Sequence, residues 1–314
     1  MPRPCTTAWV ESPLQLLGAL EHAALTEGER ERPIAIVPRA GDAQLERTAT
    51  LVHERGGEPE GVGIGLERRL LPWHRFAAGG DWLVGDAFSG LVQARLARAV
   101  PERLVLVDDG AITRRLARLL AAGEPLLRPD RRPGERVPGL RRTLAEATTR
   151  TLRALAEEGR LEVTTYLDPG DPAVALLEGL GAAVRHHRFA WTRAHGLAAR
   201  DVPAGRRVVL GTAAVADRTS TPDEQRALVL ALARAGRIAY LPHRREPEWF
   251  VRALARERHV EVIAPLVPVE LALGGAARPL DIVSRPSSAL ETLQLVLEGT
   301  GSRVLLADPL AAAS

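Results

Sequence analysis

The segment that decides the fold reads Ile238-Ala239-Tyr240-Leu241-Pro242-His243-Arg244-Arg245-Glu246-Pro247. Its first four residues are apolar and predict a short buried strand, and Pro247 then opens an amphipathic helix. Open α/β sheets bind ligands outside the carboxyl ends of their strands, which is where His243, Arg244 and Arg245 would lie. The arginines carry a fixed positive charge and the histidine can transfer a proton near neutral pH. The segment therefore suits a phosphate group, and the alternative is a solvated turn with an incidental histidine.

The same alternation of strand and helix recurs along the chain. Strands are predicted at residues 7–10, 34–37, 82–84, 104–107, 161–166, near 184, and at 207–211, 238–241, 260–263, 280–283 and 304–306. Helical patterns between them indicate βαβ units and parallel sheets, although residues 56–76 fit neither pattern clearly. Residues 190–206 lack periodicity and are predicted as a linker. We therefore expect an α/β protein with two Rossmann-like domains, 1–195 and 196–314, facing a central cleft.

Composition bounds the class of protein. The 314 residues are 46% hydrophobic and 26% charged, which is ordinary for a globular protein of two domains. All 42 basic residues are arginine, and the net charge is only +3. The high isoelectric point reflects the scarcity of groups that titrate between neutrality and pH 10. We therefore expect no nucleic-acid partner, because stacking aromatic residues do not accompany the arginines either.

The N-terminal region and the cysteine content indicate the compartment. Cys5 is the only cysteine, which excludes an internal disulfide and a cysteine-based zinc site. Glu11, Glu21 and His22 interrupt the first apolar run, so no signal peptide is predicted. No apolar stretch is long enough to predict a transmembrane segment. We expect a cytoplasmic protein, and leave open peripheral contact with the inner face of the membrane.

Asp108-Asp109-Gly110 follows a predicted strand and precedes a helix. Neighbouring carboxylates on an extended chain cannot both point into one site, so one is expected to face the cleft while the other braces the turn. The exposed carboxylate could act as a general base or a metal ligand. The alternative is an aspartate that caps the helix.

A second group of candidates lies near the C-terminus. Ser287 and Ser288 precede a helix, and their hydroxyls with free backbone N–H groups would bind an anion. Alternatively Ser288 and Glu291 form a capping box, which leaves Ser287 without a structural role. Glu270 begins a short helix, where it either favours the helix dipole or accepts hydrogen bonds from ribose hydroxyls.

Other polar clusters fit structural roles better. His186, His187 and His195 match no metal-site spacing and are predicted to be surface or interdomain residues. Eight arginines between Arg128 and Arg153 suggest a solvated face, with an anionic acceptor as the alternative. Residues 125–138 predict a surface loop or lid.

Six segments stand out when the chain is taken in order: Glu11-Ser12-Pro13-Leu14-Gln15-Leu16-Leu17, Val107-Asp108-Asp109-Gly110, Leu210-Gly211-Thr212, Tyr240-Leu241-Pro242-His243, Val267-Pro268-Val269-Glu270 and Pro286-Ser287-Ser288-Ala289-Leu290. Together they resemble bacterial sialyltransferases with two Rossmann-like domains, nearest to the lipooligosaccharide sialyltransferase and capsular polysialyltransferase families. The six segments span nearly the whole chain. One departure is Arg244, which stands where the family usually has proline.

The resemblance implies a GT-B-type glycosyltransferase that moves sialic acid from CMP-sialic acid to a glycan hydroxyl, with inversion and without a metal or other cofactor. It implies that Asp108 or Asp109 is the base and that His243 is the acid assisting departure of the CMP phosphate. The implied donor contacts are Ser287 and Ser288 to the phosphate, Glu270 to the ribose, and also Gly211, Thr212 and Arg244.

Three alternatives stay open at this point. The fold could use another nonulosonic acid or a UDP-sugar as donor. The chain could instead be a catalytically inactive protein that binds a nucleotide sugar during assembly of a surface polysaccharide. The acceptor, the linkage and the number of transfers do not follow from the residues.

Overall fold

The computed structural model describes residues 5–65, 76, 78–108, 112–128 and 139–307. The chain divides into two compact units, Met1–Trp191 and Thr192–Ser314. Each unit contains one parallel β-sheet with helices in its connections. This confirms the prediction of two Rossmann-like domains. None of the helices in the described ranges is both long and apolar enough to cross a membrane.

The first unit contains a seven-stranded sheet. Its elements are β1 (Thr6–Val10), α1 (Pro13–Leu25), β2 (Ile34–Pro38), α2 (Ala43–Glu54), β3 (Val62–Ile64), β4 (Asp81–Val84), α3 (Gly90–Leu96), β5 (Arg103–Val107), α4 (Ile112–Ala122), α5 (Gly139–Glu157), β6 (Leu161–Thr165), α6 (Pro172–Gly179), β7 (Ala183–His186) and α7 (Ala190–His195), which continues past the division. The strand order is β3-β2-β1-β4-β5-β6-β7. All neighbouring strands are parallel.

The start of α1 shows how the sequence sets these elements. Ser12 accepts a hydrogen bond from the Gln15 N–H at 3.2 Å, and Pro13 occupies the first helical turn, where a missing N–H is harmless. The helix then packs closely on β5, because a Cβ added at Gly18 would lie 3.3 Å from the Cβ of Val107. Glycine thus permits the close approach of helix and sheet.

The second unit contains a five-stranded sheet. Its elements are β8 (Arg207–Leu210), α8 (Pro222–Arg234), β9 (Ile238–Leu241), α9 (Glu248–Leu254), β10 (Val260–Val262), α10 (Val269–Leu273), β11 (Asp281–Ser284), α11 (Ser288–Val296) and β12 (Arg303–Leu306). The strand order is β10-β9-β8-β11-β12, again parallel. Apolar side chains of β9 and α9 form one core cluster with α8, in which Tyr240 and Phe250 are almost completely buried.

Each sheet has one point at which the strand order reverses direction. In the first unit it lies between β1 and β4, and in the second between β8 and β11. Connections on the two sides of such a point leave in opposite directions and open a crevice at the carboxyl edge. In the second unit this places the residues after Leu210 beside those after Ser284.

Two local predictions were incomplete or wrong. The unassigned residues 56–76 contain β3, whose three residues are too few for a clear pattern. The predicted linker begins with helix α7 rather than with irregular chain. This helix is held by tertiary contacts that periodicity cannot reveal: the Trp191 N–H donates to Glu21 at 3.2 Å, and its indole N–H donates to the Gly57 carbonyl at 2.8 Å.

Candidate functional site

The carboxyl edge of the second sheet gathers most of the predicted site residues. Leu241, Leu210 and Ser284 are in register on three neighbouring strands. The next few residues on each strand are the predicted ones: His243 and Arg244 after β9, Gly211 and Thr212 after β8, and Ser287 and Ser288 after β11. The fold therefore brings these three loops side by side at the point where the strand order reverses.

A buried carboxylate that the sequence analysis did not single out organises this edge. Glu246 is 9% exposed and accepts a hydrogen bond from the Tyr240 hydroxyl at 2.6 Å and from the His243 N–H at 2.9 Å. The Thr212 N–H also donates to it, so one side chain joins the loops after β8 and β9. Burial raises the pKa of Glu246, partly offset by these hydrogen bonds. The sequence feature that could have revealed Glu246 is Tyr240, the one polar side chain in the apolar strand β9, because a buried hydroxyl requires a hydrogen-bond partner.

Gly211 has a steric role in the same network. A Cβ at this position would lie 2.2 Å from Glu246 Oε2 and 2.7 Å from the backbone nitrogen of His243. Both distances are shorter than carbon–oxygen and carbon–nitrogen contacts allow. Glycine therefore lets the carboxylate reach between the two loops, and direct contact of Gly211 with a donor stays a prediction.

The geometry around His243 defines its protonation state. Its Nδ1 accepts a hydrogen bond from the Arg245 N–H at 3.2 Å. Burial, followed by the positive charges of Arg244 and Arg245, lowers the pKa of His243 to about 4, against an opposing effect of Asp217. The ring is therefore neutral at pH 7 with its hydrogen on Nε2. Arg245 itself forms an ion pair with Asp217 at 3.1 Å.

The start of α11 differs from the predicted capping box. Ser287 is the N-cap residue, with φ −159° and ψ 156°, and its side chain makes no capping hydrogen bond. Its Oγ lies 3.5 Å from the Oγ of Ser284, and Ser288 is exposed in the first helical turn. The capping-box alternative for Ser288 and Glu291 is wrong because the helix begins one residue earlier than that pattern requires. The helix start is thus left without a side-chain cap.

Glu270 is buried rather than presented to solvent. Only 5% of the residue is exposed, and its Oε1 accepts a hydrogen bond from the Thr292 hydroxyl of α11 at 2.6 Å. Burial raises its pKa, and the hydrogen bond from Thr292 acts in the opposite direction. The carboxylate therefore joins α10 to α11, and its contact with a ribose stays a prediction.

In the first unit, Asp108 braces the end of β5. It is 3% exposed; Oδ1 accepts a hydrogen bond from the Thr113 hydroxyl, and Oδ2 accepts one from the Thr165 hydroxyl. The Tyr166 N–H donates to Oδ2 as well, at 3.3 Å. Both carboxylate oxygens are thus occupied within the unit. Asp109 lies outside the described residues.

The turn after β1, which begins with Glu11, is also held by contacts within the first unit. Glu11 accepts hydrogen bonds from the Trp9 indole and from Arg39, both at 2.8 Å, and from the Ser89 hydroxyl. The Gln15 side chain accepts the Glu11 N–H at 2.7 Å and lies across Gly85, where a Cβ would be 2.3 Å from its Oε1. These contacts fix the loop at the reversal point of the first sheet.

The prediction that His187 lies at the surface is wrong. The residue is only 2% exposed, and the centroid of its ring lies 4.7 Å from that of Phe189. The backbone N–H of His187 donates to the Thr165 carbonyl at 2.9 Å, which holds the residue beside the sheet. Neither ring nitrogen has a hydrogen-bond partner within the described structure. Burial, with smaller effects of His22 and His186, lowers the pKa of His187 to about 3. Among the described side chains, no three of His, Cys, Asp and Glu are grouped as metal ligands.

Comparison with known proteins yields structural likeness only. No family model matches the chain, and no curated protein matches its sequence. Phytolacca americana UGT2 complexed with UDP-2fluoro-glucose and pterostilbene is 12% identical over 98% of this chain and 82% of its own, with a TM-score of 0.49. A Polygonum tinctorium UDP-glucosyltransferase capable of glucosylating indoxyl is 13% identical over 100% and 83%, with a TM-score of 0.49. E. coli heptosyltransferase WaaC with ADP-2-deoxy-2-fluoro heptose is 15% identical over 93% and 86%, with a TM-score of 0.39. These values are too low to support an argument about activity.

Proposed function

We propose that the chain is an inverting, metal-independent glycosyltransferase that moves sialic acid from CMP-sialic acid to a glycan hydroxyl in the synthesis of a bacterial surface polysaccharide or lipooligosaccharide. The observation that carries the proposal is the placement of neutral His243 and the uncapped start of α11 at the carboxyl edge of one parallel sheet, after the two strands that flank β8. We place the reaction in the cytoplasm, with contact at the inner face of the membrane left open.

The start of α11 supplies the phosphate site. Backbone N–H groups in the first turn of a helix lack intrahelical partners and carry partial positive charge, so they bind anions. The Leu290 N–H donates to the Ser287 carbonyl at 3.1 Å, but Ser287 makes no side-chain capping bond, so the earlier N–H groups of this turn and the hydroxyls of Ser287 and Ser288 remain for the donor. In this proposal Thr212 and Arg244 flank the phosphate from the neighbouring loops. Glu270 supports α11 through the hydrogen bond from Thr292, and its contact with the ribose is part of the proposal.

His243 assists the leaving group through Nε2. With Nδ1 accepting the Arg245 N–H, the neutral ring offers its Nε2–H to a phosphate oxygen. Negative charge that accumulates on the departing phosphate raises the pKa of the ring and strengthens this hydrogen bond. The histidine thus stabilises departure without being charged beforehand.

We assign the base to Asp109, because the oxygens of Asp108 are occupied by Thr113 and Thr165. The acceptor hydroxyl gives its proton to Asp109 as its oxygen bonds to the anomeric carbon. The bond from that carbon to the phosphate oxygen breaks, and its electron pair leaves with CMP. Attack opposite to the leaving group inverts the anomeric centre.

A donor panel tests the activity. Purified protein is given CMP-sialic acid, a second CMP-activated nonulosonic acid or UDP-glucose, and release of the free nucleotide is measured. CMP release from CMP-sialic acid supports the proposal. Release from another donor alone would assign a different sugar, and CMP binding without release from any donor would identify a binding protein.

A serine pair tests the phosphate site. Replacing Ser287→Ala together with Ser288→Ala should weaken CMP binding at least about tenfold, since charge-assisted hydrogen bonds are lost. The melting temperature should change little because neither hydroxyl caps α11. Unchanged CMP affinity in isothermal titration would exclude this site.

A further inference from the structure

The second unit has a cavity at the edge of its sheet opposite to the proposed donor site. Arg207, Ile238 and Asp281 are the first residues of β8, β9 and β11, and they lie side by side in register. A cavity of about 450 Å³ opens at these amino ends, between the sheet, the end of α8 and the loop before β8. The proposed donor site lies at the carboxyl ends of the same strands, so the two sites lie at opposite ends of these strands.

The lining is strongly basic. Four arginines and a single aspartate surround the cavity: Arg206, Arg207, Arg237, Arg278 and Asp281. They leave an excess of three positive charges. The last turn of α8 also borders the space, and a helix C-terminus contributes only about half a negative charge. The arginines therefore determine the sign of the potential.

Two of these arginines are not used by the fold. Arg207 pairs with Asp281 at 2.9 Å, and Arg278 donates to the Val202 carbonyl. Asp281 also lies 3.4 Å from Arg303, so its charge is already shared. By contrast, the side chains of Arg206 and Arg237 form no hydrogen bond or ion pair with the part of the chain that the structure describes. Their guanidinium groups are available to a ligand.

We infer that this cavity is a second anion-binding site, which takes a small organic ligand carrying at least two phosphate or carboxylate charges. Arg206 and Arg237 bind the charged groups, because guanidinium binds either group through paired hydrogen bonds. Leu232, Ile238 and Pro279 provide an apolar wall for the body of the ligand. The volume is within the range of about 300–1,000 Å³ found for small-molecule sites. This site is independent of the proposed transferase activity.

Arginine footprinting tests the site in the intact protein. The protein is treated with phenylglyoxal, alone and with inorganic pyrophosphate or citrate, and modification of each arginine is followed by peptide mass spectrometry. The sequence contains no lysine, so no lysine amine competes with arginine for the reagent. Pyrophosphate or citrate should slow modification of Arg206 and Arg237 several-fold, and comparison of the two anions shows whether phosphate or carboxylate is preferred. Arg256, exposed and outside the cavity, is the internal control.

Variants give a second readout. Arg206→Gln combined with Arg237→Gln should weaken binding of the protecting anion at least about tenfold, whereas Arg256→Gln should leave it unchanged. Protection should persist when Ser287 and Ser288 are replaced by alanine, which distinguishes this site from the donor site. Equal modification rates with and without both anions, or equal losses in the cavity and control variants, would overturn the inference.

Discussion

The carboxylate of Glu246 holds the backbone N–H of His243 at 2.9 Å, and the same carboxylate accepts the hydroxyl of Tyr240. The position of the histidine therefore depends on a buried acidic group three residues away in the chain. Tyr240 lies in the core of the second unit, so its hydroxyl holds Glu246, and through it the loop after β9, in a fixed position. Such support allows a short basic turn to hold a defined shape at the edge of a sheet.

Glu246→Gln tests this support. The two carboxylate oxygens of Glu246 accept the Tyr240 hydroxyl and the His243 N–H, whereas glutamine has one oxygen and would turn its NH₂ group toward one of these donors. The free energy of unfolding should therefore fall by about 1–3 kcal/mol. Turnover should fall as well, and the pKa of His243, followed by NMR of its ring, should move toward 6.5 as the loop opens. Glu248→Gln is the matched control because Glu248 is largely exposed in α9. A loss of stability with an unchanged histidine pKa would limit Glu246 to a purely structural role.

The two neighbouring aspartates should separate by phenotype. Asp108→Asn disrupts the contacts with Thr113 and Thr165 and should mainly lower the melting temperature. Asp109→Asn removes the proposed base and should lower turnover by about 10²–10⁴-fold while the melting temperature is retained. Initial rates of CMP release and thermal denaturation measure both effects. Loss of turnover in Asp108→Asn, with loss of stability in Asp109→Asn, would instead identify Asp108 as the base.

The pH dependence of activity should reflect the lowered pKa of His243. Its ring is neutral above about pH 4 in the free protein, so histidine protonation should lower kcat/KM only as the pH falls toward that value, and not through 6.5. Binding of CMP should raise the pKa of the ring, because the phosphate is negative. NMR titration of His243 with and without CMP measures the shift. A free-protein pKa near 6.5 would contradict the lowered value, and kcat/KM should then fall as the pH is lowered through 6.5.

Burial of His187 predicts sensitivity to acid. Its folded pKa of about 3 lies below the unfolded value of 6.5, so the stability present above pH 6.5 is progressively lost as the pH falls toward 3. At pH 4 the loss should be of the order of 3 kcal/mol. His187→Phe fits beside Tyr166 and Phe189 and should reduce this loss, as measured by urea denaturation at pH 7 and pH 4.

Exposed His259 supplies the control for that experiment, since His259→Gln should retain the acid sensitivity of the natural sequence. If His187→Phe shows the same loss of stability as the natural sequence, protonation of another group, such as the buried His22 with its pKa of about 4, must dominate.

The sequence by itself determined the alternation of strands and helices, the two parallel sheets, and the placement of His243, Gly211 and Ser287 at strand ends. These features follow from local patterns, namely short apolar runs and proline at helix starts. Each depends on residues close together in the chain.

Only the tertiary structure decided which polar groups are available for chemistry. The carboxylates of Asp108, Glu246 and Glu270 each accept a hydrogen bond from a hydroxyl group that the packing of the chain brings to them. His187 is buried in the core, although its neighbour His186 is only half-buried. Hydrogen bonds such as that of Asp108 with Thr165 join residues far apart in sequence. Burial and these distant partners set the pKa values, so a local pattern cannot reveal them.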